Sequence, residues 1–473
     1  MKKLLNETLI YGAGAIMPRI IIFILHPLYV HFIDNDEFAQ FTNLYAFVSF
    51  VNVILTFGFE TAFFRYSAEK GNEQKTFYTS FWFLLGFSAL FLLGTLVFLR
   101  PIASFLGYGA SPEYVRWFAW IAFFDAVCVI PFAWLRFNNR PIRYSAVRVA
   151  QSLLQTVTVV ALFLWVPSEV SSRLGMHEKV SYTFCSNLAG SVFGVLLLAP
   201  IIGKVRWVFD KELFRRMIGY SWPVMVAGLA FMFNENFDKF IQYYLIPKGD
   251  AGAYGGVYKL AVLMTLFVTA YRMGIEPFFF RQMNQKNARQ TYARVTEYFT
   301  FFSAVVAMGI IANVSWLKGI FVPNKSYWIA TDIVPIIVVA NMCFGIYYNL
   351  STWYKVTDRT FVGTLISWVG AFITIGANLL LLGKYGFMVS AWITLVTYFV
   401  MMMLSYVLGQ RYYPIPYRVG KMGLVLLGLC LFSWLSYYCF EANVWVGNLL
   451  FLLFSGWIFY SEKAMIWSKI RKK

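Results

Sequence analysis

The chain has 473 residues, of which 60% are hydrophobic and only 13% are charged, and its 40 Lys and Arg residues outnumber its 22 Asp and Glu residues to give a formal net charge of +18. This composition excludes an ordinary soluble globular domain, in which about a quarter of the residues are charged. Apolar runs of ~20 residues, the length that a helix needs to cross a bilayer, recur along the sequence. Because a backbone in lipid must satisfy its own hydrogen bonds, these runs predict an all-α polytopic membrane protein.

About fourteen transmembrane segments are predicted in chain order. They cover residues 8–33, 38–64, 77–99, 113–135, 144–166, 180–203, 217–246, 252–280, 295–322, 330–354, 360–383, 386–409, 420–440 and 444–461. Pro18 and Pro27 predict a bend or break in the first segment. Arg19 also interrupts its apolar run, and no Ala-x-Ala cleavage site follows. We therefore expect this segment to be a retained helix rather than a signal peptide.

Lys and Arg are distributed unevenly between alternate loops. If the N-terminus is inside, the predicted cytoplasmic segments hold roughly four times as many as the outer loops, which is the positive-inside pattern. It predicts that both termini are cytoplasmic. Because basic loops beside a bilayer meet anionic lipid, the positive net charge does not indicate nucleic-acid binding. The five cysteines are widely spaced within predicted segments, so neither a disulfide framework nor a metal site is indicated.

A short motif occurs twice, at Gly58–Arg65 and at Gly274–Arg281. The glycine, the glutamate, two phenylalanines and the arginine are identical, and each glutamate, Glu60 or Glu276, lies near the end of an apolar segment. The preceding segments align at the same offset without a gap, which indicates an internal duplication. In membrane proteins, such repeats are typical of transporters. We therefore predict an N-terminal six-helix lobe over 1–210, a C-terminal six-helix lobe over 211–415, and an additional helix pair with a basic tail over 416–473.

Ionisable residues within the predicted segments are concentrated on the first two segments of each repeat. The acidic members are Glu60, Glu235, Asp238 and Glu276, and the basic members are Arg19, Lys239, Lys259 and Arg272. A charge at the bilayer centre costs at least ~2.5–3.5 kcal/mol on insertion scales, so we expect these groups to face a water-filled cavity or one another. Arg116 and Asp125, on the fourth segment, are instead expected to form a structural pair.

The acidic residues have two interpretations that the sequence leaves open. Glu60 and Glu276 either pin helix ends by pairing with basic neighbours, or take part in ion coupling and gating. Glu235 and Asp238 either pair with basic residues or carry a coupling proton or sodium ion. The sequence contains no recognisable catalytic arrangement or metal-ligand cluster, so we expect neither an enzyme nor a bound cofactor, and a coupling ion, H⁺ or Na⁺, is left open.

The helix pattern, the paired motif and the cytoplasmic termini together resemble the polysaccharide transporter family. This family comprises the O-antigen or lipid-linked oligosaccharide flippases of the multidrug/oligosaccharidyl-lipid/polysaccharide exporter superfamily. The turn Asp34–Phe38, the pair Trp222-Pro223 and the run Asn236–Lys239 are also similar to family members. The resemblance implies alternating access between two lobes around a cationic cavity. The implied substrate is an undecaprenyl-diphosphate-linked oligosaccharide, translocated across the bacterial inner membrane.

The resemblance also implies which residues line the cavity. Arg19 and Arg272 fall where the related lipid II flippases keep cavity arginines, and Lys239 would add to the same positive field. Guanidinium groups suit this role because they bind diphosphate bidentately and remain charged at any relevant pH. The implied partners are the polyprenyl-diphosphate-linked glycan and membrane lipids, with polysaccharide polymerase or export machinery as a further candidate.

The sequence is also compatible with three functions other than an oligosaccharide flippase. A lipid II flippase and a cation-coupled multidrug antiporter belong to the same superfamily and share much of the pattern. A membrane glycosyltransferase or polymerase is less favoured, because such enzymes usually carry a large outer loop or domain and every connection in this chain is short.

Overall fold

The computed structural model describes residue 14 and residues 16–69, 71–283 and 285–470. Across these residues the secondary structure is helical and contains no strand. Thirteen helices in this part of the chain are long and apolar enough to cross a membrane, and Ile16–Phe32 is a shorter apolar helix. The prediction of an all-α, multi-pass membrane protein is therefore confirmed.

The helices are numbered here in chain order. They are α1 Ile16–Phe32, α2 Asn35–Thr56, α3 Phe59–Ser67, α4 Glu73–Val97, α5 Leu99–Phe105, α6 Pro112–Phe137, α7 Pro141–Leu164, α8 Ser168–Arg173, α9 Val180–Ile202, α10 Lys211–Leu245, α11 Lys248–Gln282, α12 Ala288–Ala312, α13 Val314–Phe321, α14 Ile333–Leu350, α15 Thr352–Val356, α16 Thr360–Tyr385, α17 Phe387–Tyr412, α18 Val419–Trp434 and α19 Val444–Ile470. A 3₁₀ turn covers Lys325–Ala330, and a π turn, Leu435–Cys439, extends α18.

The chain divides into two compact units, Met1–Phe240 and Ile241–Lys473, called unit 1 and unit 2. The division falls within α10, whose residues up to Phe240 belong to unit 1. Several hydrogen bonds hold this helix there. Asn236 Nδ2 donates to Ser49 Oγ at 3.1 Å, and Asn43 Nδ2 donates to the Phe240 carbonyl at 2.7 Å. The polar side of α10 is therefore bonded to α2 of the same unit.

The first apolar helix is interrupted, as its prolines predict. A turn at Leu25 separates residues 16–24 from His26–Phe32. Pro27 occupies the first turn of the second part. Proline fits that position because its missing N–H would have no helical partner there.

The two copies of the repeated motif fold differently. In unit 1, α2 ends at Thr56, and Phe57 and Gly58 adopt left-handed backbone angles, with φ of 50° and 69°, before α3 begins. A methyl group at Gly58 would lie 2.8 Å from the carbonyl oxygen of Ser221 on α10, so this break is also a point of close helix approach. In unit 2, α11 continues without a break through the motif, and a methyl group at Gly274 would meet open space.

The motif phenylalanines anchor α3 in the core of unit 1. Phe59 and Phe63 are fully buried among residues of α4 and α6. The Phe63 and Phe137 rings lie 5.9 Å apart, and the Phe59 and Phe83 rings lie 4.4 Å apart. Burial of large aromatic side chains supplies both packing area and a defined ring geometry. The adjacent carboxylate of Glu60 is thereby held at the end of α6.

The last two long helices of the chain pack against α12 in unit 2. The side-chain amides of Asn313 and Asn448 exchange two hydrogen bonds of 3.1 Å, and Ser315 Oγ donates to the Ala442 carbonyl at 2.5 Å. Gly447 allows α19 to approach closely, because a methyl group there would lie 2.8 Å from the Ala312 carbonyl oxygen. Small residues and paired amides are typical of helix contacts in membranes.

The expected pair between Arg116 and Asp125 is wrong. Nine residues on one helix span about two and a half turns, so the two side chains point to opposite faces of α6. Arg116 is exposed. Asp125 instead accepts a hydrogen bond of 2.8 Å from Ser191 Oγ on α9 and interacts electrostatically with Arg148 on α7. This carboxylate therefore joins three helices of unit 1.

Candidate functional site

The motif carboxylate of unit 1 makes an ion pair across two helices. Glu60 lies in the first turn of α3, and its Oε1 is 2.5 Å from Nη1 of Arg136 in the last turn of α6. Both side chains are 44% exposed, and the guanidinium of Arg136 also lies 5.0 Å from the Phe64 ring centroid. A pair this exposed contributes ~1 kcal/mol or less to stability, so its main structural effect is to fix the two helix ends together.

The motif carboxylate of unit 2 contacts two cations. Lys355 Nζ on α15 lies 2.7 Å from Glu276 Oε1, and Arg272 Nε, one turn earlier on α11, lies 3.6 Å from Glu276 Oε2. All three side chains are partly exposed. One carboxylate cannot neutralise two cations, so this cluster carries a net positive charge at neutral pH.

Each unit therefore contains an equivalent ion pair. In each repeat, the motif carboxylate at the end of the second transmembrane segment binds a basic residue at the end of the fourth segment, Arg136 or Lys355. Sequence comparison missed this correspondence because the repeat offset aligns Arg136 with Thr352, one turn before Lys355. The sequence did contain a signal for this pairing, since Arg136 and Lys355 are each a basic residue just after the fourth apolar segment of the repeat.

Arg272 is positioned by an aromatic side chain as well as by Glu276. Its guanidinium lies 4.3 Å from the ring centroid of Tyr348 on α14, and its Nη1 donates to the Tyr348 hydroxyl at 2.7 Å. The neighbouring Tyr271 hydroxyl donates to Asn349 Oδ1 at 2.6 Å. Stacking leaves the edge of the guanidinium plane available to a second acceptor.

These residues of unit 2 line a narrow cleft. Its walls include Tyr271, Arg272, Ile275, Glu276, Tyr348, Asn349 and Lys355. The cleft thus combines apolar surface, two cations, one carboxylate and amide and hydroxyl groups. This composition suits a ligand that has both an anionic part and hydroxyl groups.

The other proposed cations have different surroundings. Arg19 on α1 is exposed and makes no ion pair or side-chain hydrogen bond with any residue that the structure describes. Lys239 on α10 is largely buried and its Nζ lies 3.1 Å from Asp238 Oδ1 and 2.8 Å from the Glu235 carbonyl oxygen. Asp238 is 4% exposed, so the Lys239 charge is balanced locally.

The described residues contain no group of three or more His, Cys, Asp or Glu side chains that could hold a metal ion. The polar groups of the two sites are instead carboxylate–cation pairs and hydrogen-bonding side chains.

The fold is that of an all-α, multi-pass membrane protein. Residues 4–283 match the family described as "Polysaccharide biosynthesis protein", so the chain belongs to this family. An Lsg locus protein of Haemophilus influenzae is 19% identical over 361 residues, covering 73% of this chain and 86% of that protein. The predicted resemblance to polysaccharide transporters is confirmed.

Solved structures show the same fold. The lipid II flippase MurJ in an inward closed conformation superimposes with a TM-score of 0.75 at 15% identity, covering 96% of this chain and 99% of that chain. An inward-facing multidrug resistance MATE family transporter of the MOP superfamily superimposes with a TM-score of 0.66 at 12% identity, covering 88% of this chain and 96% of that chain. Identities this low establish a shared fold, and the substrate has to be argued from the residues of this chain.

Proposed function

We propose that the protein is a flippase that translocates an undecaprenyl-diphosphate-linked oligosaccharide across the bacterial inner membrane by alternating access. The observation that carries this proposal is the cationic cleft around Arg272, Glu276 and Lys355 in a member of the polysaccharide biosynthesis family. The oligosaccharide is an O-antigen, capsule or exopolysaccharide unit, and the protein moves it without making or breaking a covalent bond.

Arg272 is the proposed diphosphate ligand in unit 2. Tyr348 and Glu276 hold the guanidinium through Nη1 and Nε, whereas Nη2 makes no hydrogen bond with a residue that the structure describes. An arginine edge that is oriented in this way can bind phosphate oxygens with little further ordering. The hydroxyl and amide groups of Tyr271 and Asn349 supply hydrogen bonds for sugar hydroxyls.

Arg19 and Lys239 are the proposed cations of unit 1. Arg19 carries an exposed charge on the interrupted helix α1, and such a charge within a transmembrane helix marks a substrate path by default. Lys239 contributes when the charge of Asp238 is neutralised. A proton or Na⁺ on Asp238, with the Glu235 carbonyl adjacent, would release Lys239 to attract the diphosphate and so couple ion binding to substrate binding.

Glu60 and Glu276 are the proposed gating carboxylates. Their pairs with Arg136 and Lys355 tie helix ends on the side that the positive-inside pattern assigns to the cytoplasm. Because these pairs are partly exposed, they can exchange partners at low energetic cost as the units change conformation. The same pattern supports cytoplasmic N- and C-termini.

The test is transport in vesicles made with purified full-length protein. Vesicles hold an undecaprenyl-diphosphate-linked oligosaccharide, and a lectin added outside measures the glycan that reaches the outer leaflet. We expect Arg19→Ala and Arg272→Ala to abolish this movement, and Arg272→Lys to restore only part of it because lysine cannot bind bidentately. Arg116→Ala is the matched control, since it removes an exposed arginine from α6.

Four outcomes would contradict the proposal. Normal transport by both arginine variants would remove the cationic-cleft mechanism. Movement of lipid II in preference to the other glycan would assign the cell-wall substrate, and movement of organic cations without polyprenyl diphosphates would assign an antiporter. Formation of a glycosidic bond in these vesicles would identify an enzyme instead.

A further inference from the structure

A groove in unit 1 lies beside the connector, defined here as residues 203–210, which leads from α9 into α10. The groove is open to the surface of the protein and is bounded by α4, α6, α9 and the connector. Aromatic and aliphatic side chains form its walls, including Phe81, Trp82, Leu85, Phe123, Val195 and Trp207. It shares none of these residues with the cleft around Arg272.

The walls of the groove are longest along α9. Its lining residues on that helix run from Val195 to Ile202, about 10 Å along the axis at 1.5 Å per residue. The hydrocarbon of one leaflet is ~15 Å thick. The groove would therefore hold the part of an acyl chain nearest the headgroup, and its apolar walls match such a chain in polarity.

The connector gives the groove a rigid entrance. The indole rings of Trp82 and Trp207 stack with their centroids 3.8 Å apart, and Trp82 Nε1 donates to the Arg206 carbonyl at 2.8 Å. Asp210 caps α10 by accepting a hydrogen bond of 3.0 Å from Leu213 N. Trp207 is 86% exposed, and tryptophans of this kind are enriched at the membrane–water interface.

The entrance is positively charged. Lys204 and Arg206 flank Val205, which lines the groove, and both are exposed. Neither side chain makes an ion pair or hydrogen bond with another residue in the described part of the chain. The nearest acidic residues in the sequence are Asp210, whose carboxylate accepts the capping hydrogen bond, and the exposed Glu212.

We propose that this groove binds an anionic phospholipid of the bilayer. One acyl chain lies between α4, α6 and α9, and the phosphate lies between Lys204 and Arg206. Charge complementarity selects this occupant, because the basic connector faces the leaflet that carries anionic lipid and each basic residue near such a surface strengthens binding. The bound lipid fastens the connector to α4. The inference is independent of the transported substrate.

The test measures lipid binding to the purified full-length chain in detergent by native mass spectrometry. We expect dioleoylphosphatidylglycerol to bind at least tenfold more tightly than dioleoylphosphatidylcholine. Lys204→Ala/Arg206→Ala should weaken phosphatidylglycerol binding about thirtyfold, from roughly fivefold per cation, and leave phosphatidylcholine binding unchanged. The control Arg140→Ala/Arg143→Ala removes the same charge from the turn before α7 and from the first turn of α7, and it should have no effect.

A second pair of variants tests the apolar part. Leu85→Trp fills the groove and should weaken both lipids, whereas Leu93→Trp places the same side chain at an exposed position on α4 outside the groove and should weaken neither. Equal phosphatidylglycerol affinity in the cation variant and the unmodified protein would overturn the proposal, as would an equal loss in the Arg140/Arg143 control. Tighter binding of undecaprenyl phosphate than of phosphatidylglycerol through Lys204 and Arg206 would reassign the groove to a polyprenyl chain.

Discussion

Arg272 and Tyr348 make two contacts with each other. The guanidinium stacks on the ring, 4.3 Å from its centroid, and donates a hydrogen bond of 2.7 Å to the hydroxyl. The two residues belong to different helices, α11 and α14, so the contact fixes the arginine relative to the rest of the cleft. Tyr348 thus acts on Arg272 by holding it in place.

Removal of the Tyr348 hydroxyl should weaken diphosphate binding modestly, and removal of the ring should weaken it strongly. Tyr348→Phe keeps the stacking and loses one charge-assisted hydrogen bond, which contributes about 1.5–3 kcal/mol. Tyr348→Ala also loses the cation–π contact, worth ~0.5–2 kcal/mol. Equilibrium binding of undecaprenyl diphosphate to purified protein measures both. An unchanged affinity in Tyr348→Ala would show that Arg272 needs no support from this residue.

Reversal of the ion pair in unit 1 should restore what each single reversal removes. Glu60→Arg places two cations together, as Arg136→Glu places two carboxylates together, and each should abolish transport in vesicles. The double variant reforms the pair with its charges exchanged and should recover at least a third of the activity. We expect the melting temperature to change little throughout, because pairs this exposed contribute ~1 kcal/mol or less. A double variant as inactive as the single ones would assign Glu60 a role beyond this pair.

The paired glycines of the motif should respond in opposite directions to alanine. Gly58→Ala places a side chain at φ of 69° and 2.8 Å from the Ser221 carbonyl oxygen, so the melting temperature should fall by several degrees, for a loss of ~1–3 kcal/mol. Gly274→Ala lies within a helix and meets open space, so it should be neutral or stabilising by up to ~1 kcal/mol. Equal effects at both positions would contradict the unequal folding of the two copies.

The sequence alone predicted the membrane helices and the family, because the length of apolar runs and the distribution of charged residues are local properties of the chain. It did not predict the partners of Glu60 and Glu276, because the pairing with Arg136 and Lys355 depends on how the fourth helix of each repeat packs. The left-handed break at Gly58 also depends on packing, since it places the chain against Ser221 on α10.

The charge pattern of α6 illustrates a different limit. Arg116 and Asp125 are opposite charges on one helix, but their spacing of nine residues places them on opposite faces of it. That relation follows from the sequence alone. The actual partner of Asp125, Ser191, is an ordinary polar residue on α9, and nothing in the sequence marks it.

Neutralisation of Asp238 should mimic the ion-loaded state. Asp238→Asn removes the charge that balances Lys239, 3.1 Å away, so diphosphate binding should become several-fold tighter. Transport should at the same time lose its dependence on a proton or sodium gradient. Lys239→Met in the same background should reverse the gain in binding, which tests whether Lys239 is responsible. A gradient dependence that survives in Asp238→Asn would place the coupling ion elsewhere.

The amide pair between Asn313 and Asn448 should hold the last helix on α12. A double-mutant cycle with leucine at both positions should give a coupling free energy of ~0.6–1.7 kcal/mol, the range measured for hydrogen bonds between membrane helices. The coupling free energy is measured from unfolding in denaturant, with proteolytic cleavage of the loop between α18 and α19 as the readout. Additive effects of the two single variants would mean that packing at Gly447 alone retains the helix.

The break before α3 gives the two copies of the motif different mechanical properties. Glu276 lies in an uninterrupted helix of 35 residues, about 50 Å long, so a movement at its carboxylate moves the whole helix. Glu60 stands on a nine-residue helix behind two left-handed residues, where the same movement is absorbed as a local pivot. The same eight-residue motif thus lies in a continuous helix in one half of the chain and directly after a helix break in the other.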